Sequence, residues 1–328
     1  MLLRLRRDLV SSLIGLGMRD EAMTLAKPMV GLDRTAFGTE APETLDAMVT
    51  LAQLQHYRHH FEQSLELARE VVGIRTRRLG ADHPDTLAAR HMLAMDEIFL
   101  ANDEAGYDRA ERDTKALVDA RRRILGPDHP ATIASMTLMV RLLADRGNAS
   151  SDPAVRRAFM ARAIAMERQI LASHRRNLGE NRPKTLLAHG SLANLLSYNG
   201  QYAEAEQQAR ITLEGQIHTL GPQNPIVFAT YNLLGDIEVA AGDWAAAREP
   251  YEKALAGRAK AFGPSDSFTI ESASRLYKVL AHLGDGAAAA DVRKHYLDPI
   301  IAMDPAKLDA SLRGEREAAL SVLGGHGF

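Results

Sequence analysis

Apolar residues recur at three- and four-residue steps through most of the chain, which predicts a succession of amphipathic helices. Within residues 179–221, Leu186, Leu192 and Leu196 give one apolar face, and Gly200 then interrupts the pattern. A glycine at such a position is typical of a helix C-terminus, because it adopts the left-handed backbone conformation without strain. A second amphipathic stretch follows this glycine, so the segment is predicted to be a pair of helices joined by a short turn.

A short phrase before all but the first predicted helix pair sets the period of the chain. It consists of an apolar residue followed by Gly, usually a Pro four residues after the Gly, and usually a Thr two residues later. Pro suits the first turn of a helix, where its missing N–H is not needed. A fixed period in the range found here indicates a solenoid of stacked helix pairs. The repeat glycines, spaced 42, 46, 53, 42 and 42 residues apart, are Gly38, Gly80, Gly126, Gly179, Gly221 and Gly263.

Two segments resemble the tetratricopeptide repeat, specifically the kinesin-light-chain type with the same 42-residue period: residues 79–87 read LGADHPDTL, and residues 200–205 read GQYAEA. The resemblance covers residues 1–297 and implies an all-α, right-handed superhelical solenoid of about seven tetratricopeptide helical hairpins. Residues 298–328 depart from the pattern and are predicted to form a C-terminal capping helix and tail. The Ala- and Arg-rich composition favours a bacterial member of this group.

The resemblance also implies a function, namely non-catalytic binding of a partner polypeptide along the concave surface that the first helices of such arrays form. A scaffold or a sensing module of a signalling system is expected. Two sets of equivalent positions lie on that surface, the +11 and +15 rows, counted in residues after each repeat glycine. At the +11 row only Asn232 keeps the Asn with which kinesin light chains hold peptide backbone. The predicted partner-binding residues are Gln53, Arg141, Asn194, Asn232, Asp236 and Lys278.

Charge leaves one alternative open. The chain has 40 Lys and Arg residues against 42 Asp and Glu residues, and a net charge of −2 argues against general attraction to nucleic acid. Arginine nevertheless clusters in the last turn of three predicted second helices, where positive charge complements the helix dipole. These clusters are the alternative site, an arginine-rich edge that would bind nucleic acid or another polyanion: Arg77, Arg78, Arg122, Arg123, Arg175 and Arg176.

The sequence gives no support for catalysis, a metal or a cofactor. The chain has no cysteine, which excludes disulfides and Cys-ligated zinc, and it lacks the common nucleotide-binding and nucleophile motifs. His56, His59 and His60 straddle a predicted turn with no carboxylate to complete a metal site, so they are interpreted as solvated turn residues. No apolar run approaches the roughly 18 residues that span a bilayer. A cytoplasmic protein without membrane contact is expected.

Some positions are predicted to serve packing alone. Trp244 follows a hairpin glycine by two residues and is expected to pack between the helices of its pair, with a small residue, Ala247, three positions later. Two units exceed the 42-residue period, by four residues near 102–105 and by eleven residues in the next unit. These insertions are expected to spare the helices and lie in turns, with residues 147–153 forming a loop.

Overall fold

The computed structural model describes residues 2–324, and within that range the chain consists of helices and turns without a β-strand. It divides into two compact units, residues 1–159 and residues 160–328. Within each unit, helices that follow one another in the sequence pack against each other. The predicted all-α array of helical hairpins is therefore confirmed, and each unit is described separately below.

The first unit holds three complete helix pairs, then α7 and the start of α8, which runs across the boundary at residue 159. The helices are α1 (Leu2–Gly15), α2 (Arg19–Phe37), α3 (Pro42–Tyr57), α4 (Phe61–Leu79), α5 (Pro84–Leu100), α6 (Glu104–Leu125), α7 (Pro130–Ala149) and α8 (Pro153–Leu178). Odd-numbered helices are the first helices of the pairs and even-numbered helices are the second ones. Consecutive first helices, such as α3, α5 and α7, also contact one another.

The second unit continues with three further pairs and a terminal segment. Its helices are α9 (Pro183–Tyr198), α10 (Tyr202–Leu220), α11 (Pro225–Ala241), α12 (Trp244–Phe262), α13 (Ser267–His282) and α14 (Gly286–Val292). A π-helical turn (Arg293–Leu297), α15 (Asp298–Ala302), a 3₁₀ turn (Pro305–Lys307) and α16 (Ala310–Leu323) follow. The described residues thus contain seven helix pairs and the predicted terminal helix, which packs against α13. Of the predicted tail, residues 325–328 lie outside the described range.

The repeat phrase is explained by the backbone of the turn between pairs. Gly80 has φ 95° and ψ 157°, a conformation that is essentially restricted to glycine, and its N–H donates to the Thr76 carbonyl. The threonine six residues after the repeat glycine closes the same turn, since Thr44 Oγ1 donates to the Gly38 carbonyl at 2.7 Å. Thr132 and Thr185 make the same bond in their units. The Gly and Thr of the phrase therefore belong to one hydrogen-bonded turn.

The histidine of the phrase caps the first helix that follows it. His83 Nδ1 accepts the backbone N–H of Asp85 at 3.2 Å, and His129 Nδ1 accepts that of Ala131 at 3.1 Å. A side-chain acceptor at this position satisfies one of the free N–H groups of the first turn. The two histidines thus have a structural role at the helix N-terminus.

Five of the turns within helix pairs contain a residue with positive φ, and in one of these five the residue is not glycine. Gly17, Gly200, Gly242 and Gly284 fill this position with φ between 76° and 85°. In the second pair the residue is His59, with φ 60°. A side chain in the left-handed region costs about 1 kcal/mol relative to glycine, so this turn is strained.

Close contact between paired helices depends on small residues, as the sequence predicted. The residue five positions after the turn glycine, or its equivalent, is completely buried: Ser64, Ala110, Ala163, Ala205 and Ala247. In the sixth pair, glycines serve the same close contact. Gly235 of α11 lies under the ring of Tyr251, and Gly257 of α12 lies under the ring of Phe228, so that each helix receives an aromatic ring from the other. Trp244 is partly buried against the apolar cluster of the last two pairs.

An arginine clamp joins three of the second helices to the first helix that follows. Arg75, Arg121 and Arg258 each lie five residues before a repeat glycine, and all three are buried. Their guanidinium groups donate to backbone carbonyls in the first turn of the next helix, at Asp85 (3.0 Å), Ala131 (2.7 Å) and Phe268 (2.7 Å). Burial of these charges is made tolerable by such hydrogen bonds.

The predicted loop at residues 147–153 is wrong, because most of the insertion is helical. Helix α7 continues to Ala149, and only Ser150, Ser151 and Asp152 separate it from α8, which has 26 residues. Asp152 Oδ1 accepts the N–H of Ala154 at 2.7 Å and so caps the new helix. Arg146 fixes the extension, since it donates to Asp108 at 2.7 Å and lies over the ring of Phe159. Long-range contacts thus override the turn signal of the Gly-Asn-Ala-Ser-Ser run. Near residues 102–105 the turn is present, although α6 is lengthened to 22 residues.

Candidate partner-binding site

In the first unit, the +15 row presents polar side chains that packing does not use. Gln53 and Arg141 are exposed on α3 and α7, and Met95 between them on α5 is half-buried. Arg141 has one acceptor, Asp145, at 3.4 Å within the same helix. These residues occupy equivalent positions in neighbouring first helices, so they lie on one face of the unit.

Aromatic side chains border this row four residues further along each helix, at what we term the +19 row. Tyr57 is 51% exposed and Phe99 is 37% exposed. The guanidinium of Arg141 lies 3.9 Å from the ring centroid of Phe99, and that of Arg19 lies 4.6 Å from the ring centroid of Tyr57. Exposed rings capped by guanidinium groups provide flat apolar area together with hydrogen-bond donors, which are typical features of binding hot spots.

The +19 row was missed by the sequence analysis, although the sequence contains a signal for it. The position is aromatic or His in four first helices, and the side chains are exposed in each: Tyr57, Phe99, Tyr198 and His282. We call three exposed rows of the first helices the groove face: the +15 row, the +19 row and the +8 row, whose exposed members are Asp46, Ala88, Ala134, Leu187 and Ala229. The name refers to each unit by itself.

The interpretation of His56 as a solvated turn residue is wrong. Its ring is 9% exposed, and Nδ1 lies 2.6 Å from Oδ1 of the fully buried Asp96 in the next first helix. The carboxylate that completes this pair is forty residues away in the sequence, which is why spacing did not reveal it. The ring also packs edge-on against Phe61 and Phe99. His56 therefore packs against the buried side of the +19 row, whereas His59 and His60 are exposed.

In the second unit, the three +15 residues differ in how much they are engaged. Asn194 is exposed on α9. Asp236 is half-buried and accepts hydrogen bonds from Tyr251 Oη at 2.6 Å and from Arg275 Nε at 3.0 Å. Lys278 Nζ lies 5.9 Å from the ring centroid of Trp244. Asn194 is thus the most accessible of the three, and Asp236 is held in a fixed position.

Asn232 belongs to an internal network rather than to the exposed surface. It is 4% exposed, and its Nδ2 donates to Ser272 Oγ at 3.0 Å, in the next first helix. Ser272 also receives a hydrogen bond from Arg258, and Arg258 pairs with Glu271 at 2.7 Å. A peptide cannot reach this amide while the two helices are packed. Asn232 therefore has no free amide with which to hold peptide backbone in this structure.

The first unit repeats this network with different residues. His91 occupies the +11 position, its Nδ1 lies 3.3 Å from Ser135 Oγ, and Arg121 donates to the same hydroxyl at 2.7 Å. Burial, reinforced by the charge of Arg121, lowers the pKa of His91 to about 4. The imidazole is accordingly neutral near pH 7. In each unit one +11 residue, His91 or Asn232, thus serves the joint between consecutive first helices.

One buried carboxyl group in the second unit has a pKa close to neutral pH. Glu167 of α8 is 3% exposed. Burial raises its pKa to about 7, an effect that a hydrogen bond with Ser191 only partly offsets. A carboxyl group with such a pKa lowers stability when it must ionise without a cation beside it.

Three of the six arginines of the arginine-rich edge pair with a carboxylate, and a fourth bonds to a backbone carbonyl. Arg77 pairs with Glu40 at 2.9 Å, and Arg78 donates to the backbone carbonyl of that same residue. The other pairs of this edge are Arg123 with Asp82 and Arg175 with Glu180, each at 2.6 Å. The two remaining arginines are Arg122, which lies 3.5 Å from the Met136 sulfur, and Arg176, which is exposed at the end of α8.

Residues 2–324 offer no support for a metal site or for a membrane-spanning helix. No group of three or more His, Cys, Asp or Glu side chains there is arranged to hold a metal ion. Among the helices of that range, none combines the length and the apolar character needed to cross a membrane.

Comparison with protein families gives matches in both units. A family model described as tetratricopeptide repeat matches residues 44–85, and another with the same description matches residues 188–260. No curated protein matches the sequence.

Solved structures share the fold at low sequence identity. A putative kinesin light chain from Podosopora anserina, with nearly identical TPR-like repeats, is 22% identical, with a TM-score of 0.53 over 66% of this chain and 96% of that chain. RapI in its apo form is 13% identical, with a TM-score of 0.51 over 99% and 87% of the two chains. A Rap protein complexed with competence and sporulation factor is 11% identical, with a TM-score of 0.50 over 98% and 88%. At these identities the likeness concerns the fold alone.

Proposed function

We propose that this tetratricopeptide repeat protein, of the kinesin-light-chain-like type, is a non-catalytic scaffold or sensing module that binds a partner polypeptide along the groove face of its first helices. Repeats of this kind serve in general as protein–protein interaction scaffolds. One observation carries the proposal for this chain. Tyr57 and Phe99 expose aromatic area beside the exposed Gln53 and Arg141, although Phe99 also stacks on Phe61 of α4.

The proposed contacts differ between the two units. In the first unit, Gln53 and Arg141 offer hydrogen bonds, and the adjacent rings offer apolar contact. In the second unit, Asn194 would contact the partner directly, while Asp236 and Lys278 present charges whose positions are fixed by their neighbours. Asn232 would act indirectly, because it holds α11 against α13. One structural neighbour is a Rap protein complexed with competence and sporulation factor, which is consistent with a peptide-sized partner.

The arginine-rich edge is the weaker candidate. Glu40, Asp82 and Glu180 each place a carboxylate within 2.9 Å of an arginine of this edge. Such pairs contribute little to stability at a surface, but they cancel the local field that would attract a polyanion. Binding of nucleic acid would also weaken steeply with salt, which separates the two functions experimentally. Participation in signalling and a cytoplasmic location stay predictions.

Site-specific photo-crosslinking tests where a partner lies. A photoreactive amino acid is placed at Gln53 or Asn194 in the full chain, and the matched controls carry it at Glu66 or Gln207, which are exposed on second helices. In source lysate, the groove-face variants are expected to form the same discrete adduct, with at most weak labelling from the controls. Equal labelling from all four positions would contradict the proposal.

Substitutions then distinguish the groove face from the arginine edge. Arg141→Ala with Asn194→Ala is compared with Arg77→Ala with Arg123→Ala, using the crosslinked partner in purified form. We expect the first pair to weaken binding by more than about tenfold without lowering the melting temperature, because exposed side chains contribute little to the fold. If only the second pair weakens binding, and salt abolishes it, the polyanion function is correct instead.

A further inference from the structure

The last helix pair has a smaller exposed groove face than the pairs before it. At the +8 row, Asp46, Ala88, Ala134, Leu187 and Ala229 are all exposed, whereas Glu271 of α13 is half-buried. At the +11 row, Ser274 is 7% exposed, a burial that Asn232 of α11 shares. An additional element therefore covers part of α13, and α16 packs against that helix.

Apolar contact is what holds α16 in place. Leu308, just before the helix, and Ala319 within it join a buried cluster that includes Ile270 and Leu276 of α13. Ala319 is the one fully enclosed residue of α16, and Leu320 beside it is 42% exposed. The side chain of Arg316 in α16 bonds to another element, from its Nε to the Ile301 carbonyl at 3.3 Å. A helix attached in this way has a small interface.

The covered side of α13 is also poorly matched to α16. In two earlier pairs the +11 residue, His91 or Asn232, bonds to a serine hydroxyl of the next first helix. The corresponding hydroxyl of Ser274 is buried and has no partner. A buried polar group without a hydrogen bond destabilises the docked state, and contact with water would remove that cost.

The surroundings of Glu315 also oppose the docked position. The groups that face Glu315 of α16 are Glu271 and Arg275 of α13 and Arg258 of α12. Both arginines are already paired with Glu271, at 2.7 Å in each case. Burial and the neighbouring charge of Glu271 raise the pKa of Glu315, so the docked helix disfavours its ionised carboxylate despite the two arginines.

We propose that α16 is a detachable cover on α13, which opens while the rest of the second unit stays folded. Opening would return Glu271 to the groove face and expose Ser274 and the apolar residues beneath Ala319. A role in regulating partner access rests on the function proposed above, but the opening itself does not depend on it. The experiment below therefore uses no partner, and its result is independent of the crosslinking test.

Thiol labelling measures the opening directly, because the chain has no cysteine of its own. Ala319→Cys reports on the covered face, and Ala273→Cys, equally buried in α13, reports on unfolding of the unit. Ala318→Cys is exposed and gives the intrinsic reaction rate. Under native conditions we expect Ala319→Cys to react at least about tenfold faster than Ala273→Cys, because local opening requires less free energy than global unfolding. Equal protection of the two would overturn the proposal. Should Ala319→Cys fail to fold, Leu308→Cys probes the same interface.

A second pair of variants tests the role of Glu315. Glu315→Gln removes the repulsion from Glu271, whereas Glu317→Gln alters an exposed carboxylate of the same helix. Combined with Ala319→Cys at about pH 8, where carboxylates are ionised, Glu315→Gln is expected to slow labelling severalfold, and Glu317→Gln to leave it unchanged. Labelling that is unaffected by Glu315→Gln would show that this repulsion does not bring the helix close to release, and the proposal would fail.

Discussion

Asn232 and Ser272 are joined by a 3.0 Å hydrogen bond between consecutive first helices, and His91 and Ser135 hold the same relationship at 3.3 Å in the other unit. In each case a buried arginine donates to the serine hydroxyl as well. The same geometry thus recurs with Asn or His at its centre. These two +11 residues therefore act in the joint between helix pairs, and the partner contacts that we propose fall on the +15 and +19 rows.

Replacement of His91 by Asn, the equivalent residue in the second unit, should remove a pH dependence of stability. The pKa of His91 is about 4 in the folded chain against 6.5 ordinarily, so the unfolded chain binds a proton first as pH falls. Stability from this group is complete above pH 6.5 and is lost as pH falls from there to 4. His91→Asn keeps a hydrogen-bonding group beside Ser135. Relative to the parent, this variant should gain about 2 kcal/mol in the free energy of unfolding as the pH falls from 7 to 4, measured by urea unfolding. A constant difference over that range would contradict the assignment.

Glu167 should give the opposite pH dependence. Its pKa is about 7 in the folded chain against 4.5 ordinarily, so the folded chain keeps its proton where the unfolded chain has lost it. Stability from this group is complete below pH 4.5 and is lost as pH rises from there through 7. Glu167→Gln should therefore stabilise the protein by up to about 3 kcal/mol at pH 8 and have little effect at pH 4. Glu214→Gln, an exposed change on α10, is the control and should have little effect at either pH.

A methyl group at Gly257 or Gly235 should separate α11 from α12. A Cβ at Gly235 would lie 2.6 Å from the Tyr251 ring, and a Cβ at Gly257 would overlap the ring of Phe228. Each Gly→Ala change is expected to lower the free energy of unfolding by about 1–3 kcal/mol, even though Ala favours a helix. The control is Gly190→Ala, since a Cβ there meets Thr212 at an ordinary 3.6 Å. If all three variants are stabilised alike in chemical denaturation, the close packing described here is wrong.

Relief of the strained turn between α3 and α4 should stabilise the first unit. His59 has φ 60° at a position that is glycine in four other pairs, so His59→Gly removes the clash of Cβ with the backbone. We expect a gain of about 0.5–1 kcal/mol in thermal or urea unfolding. His60→Gly is a matched control, because φ is −92° at that residue and no strain is relieved. A gain from His60→Gly equal to that from His59→Gly would refute the explanation.

The fold and the repeat type were predictable because their determinants are local and recur. Glycine at the end of each second helix, Pro at the start of the next helix, and small residues such as Ala205 are needed for single turns or single contacts. Six copies of one phrase allow each such requirement to be seen repeatedly. The terminal helix after residue 298 was predicted for a related reason, namely the end of that repetition. Both features are confirmed by the structure.

The environment of individual polar residues was not predictable in the same way. Arg121 and Arg123 stand two positions apart in one arginine run, yet the first is buried in a clamp and the second pairs with Asp82 at the surface. Residues two positions apart lie on different sides of a helix, and a run of identical residues in the sequence does not show which side is buried. His56 depends on Asp96, a residue of the next helix pair. Such pairs arise only when the array is stacked, so spacing within one pair cannot reveal them.

The arginine clamp has a consequence for how arrays of this kind change in length. Arg75 and Arg121 are anchored to main-chain oxygens of the following helix, which any residue compatible with a helix supplies equally. This part of the joint is therefore independent of the side chains that follow, whereas the bond from Arg121 to Ser135 Oγ depends on a particular residue. A duplicated or deleted helix pair would keep the main-chain anchor, and a hydroxyl at the position of Ser135 would complete the joint. Growth of the array by whole units is thus built into its connections.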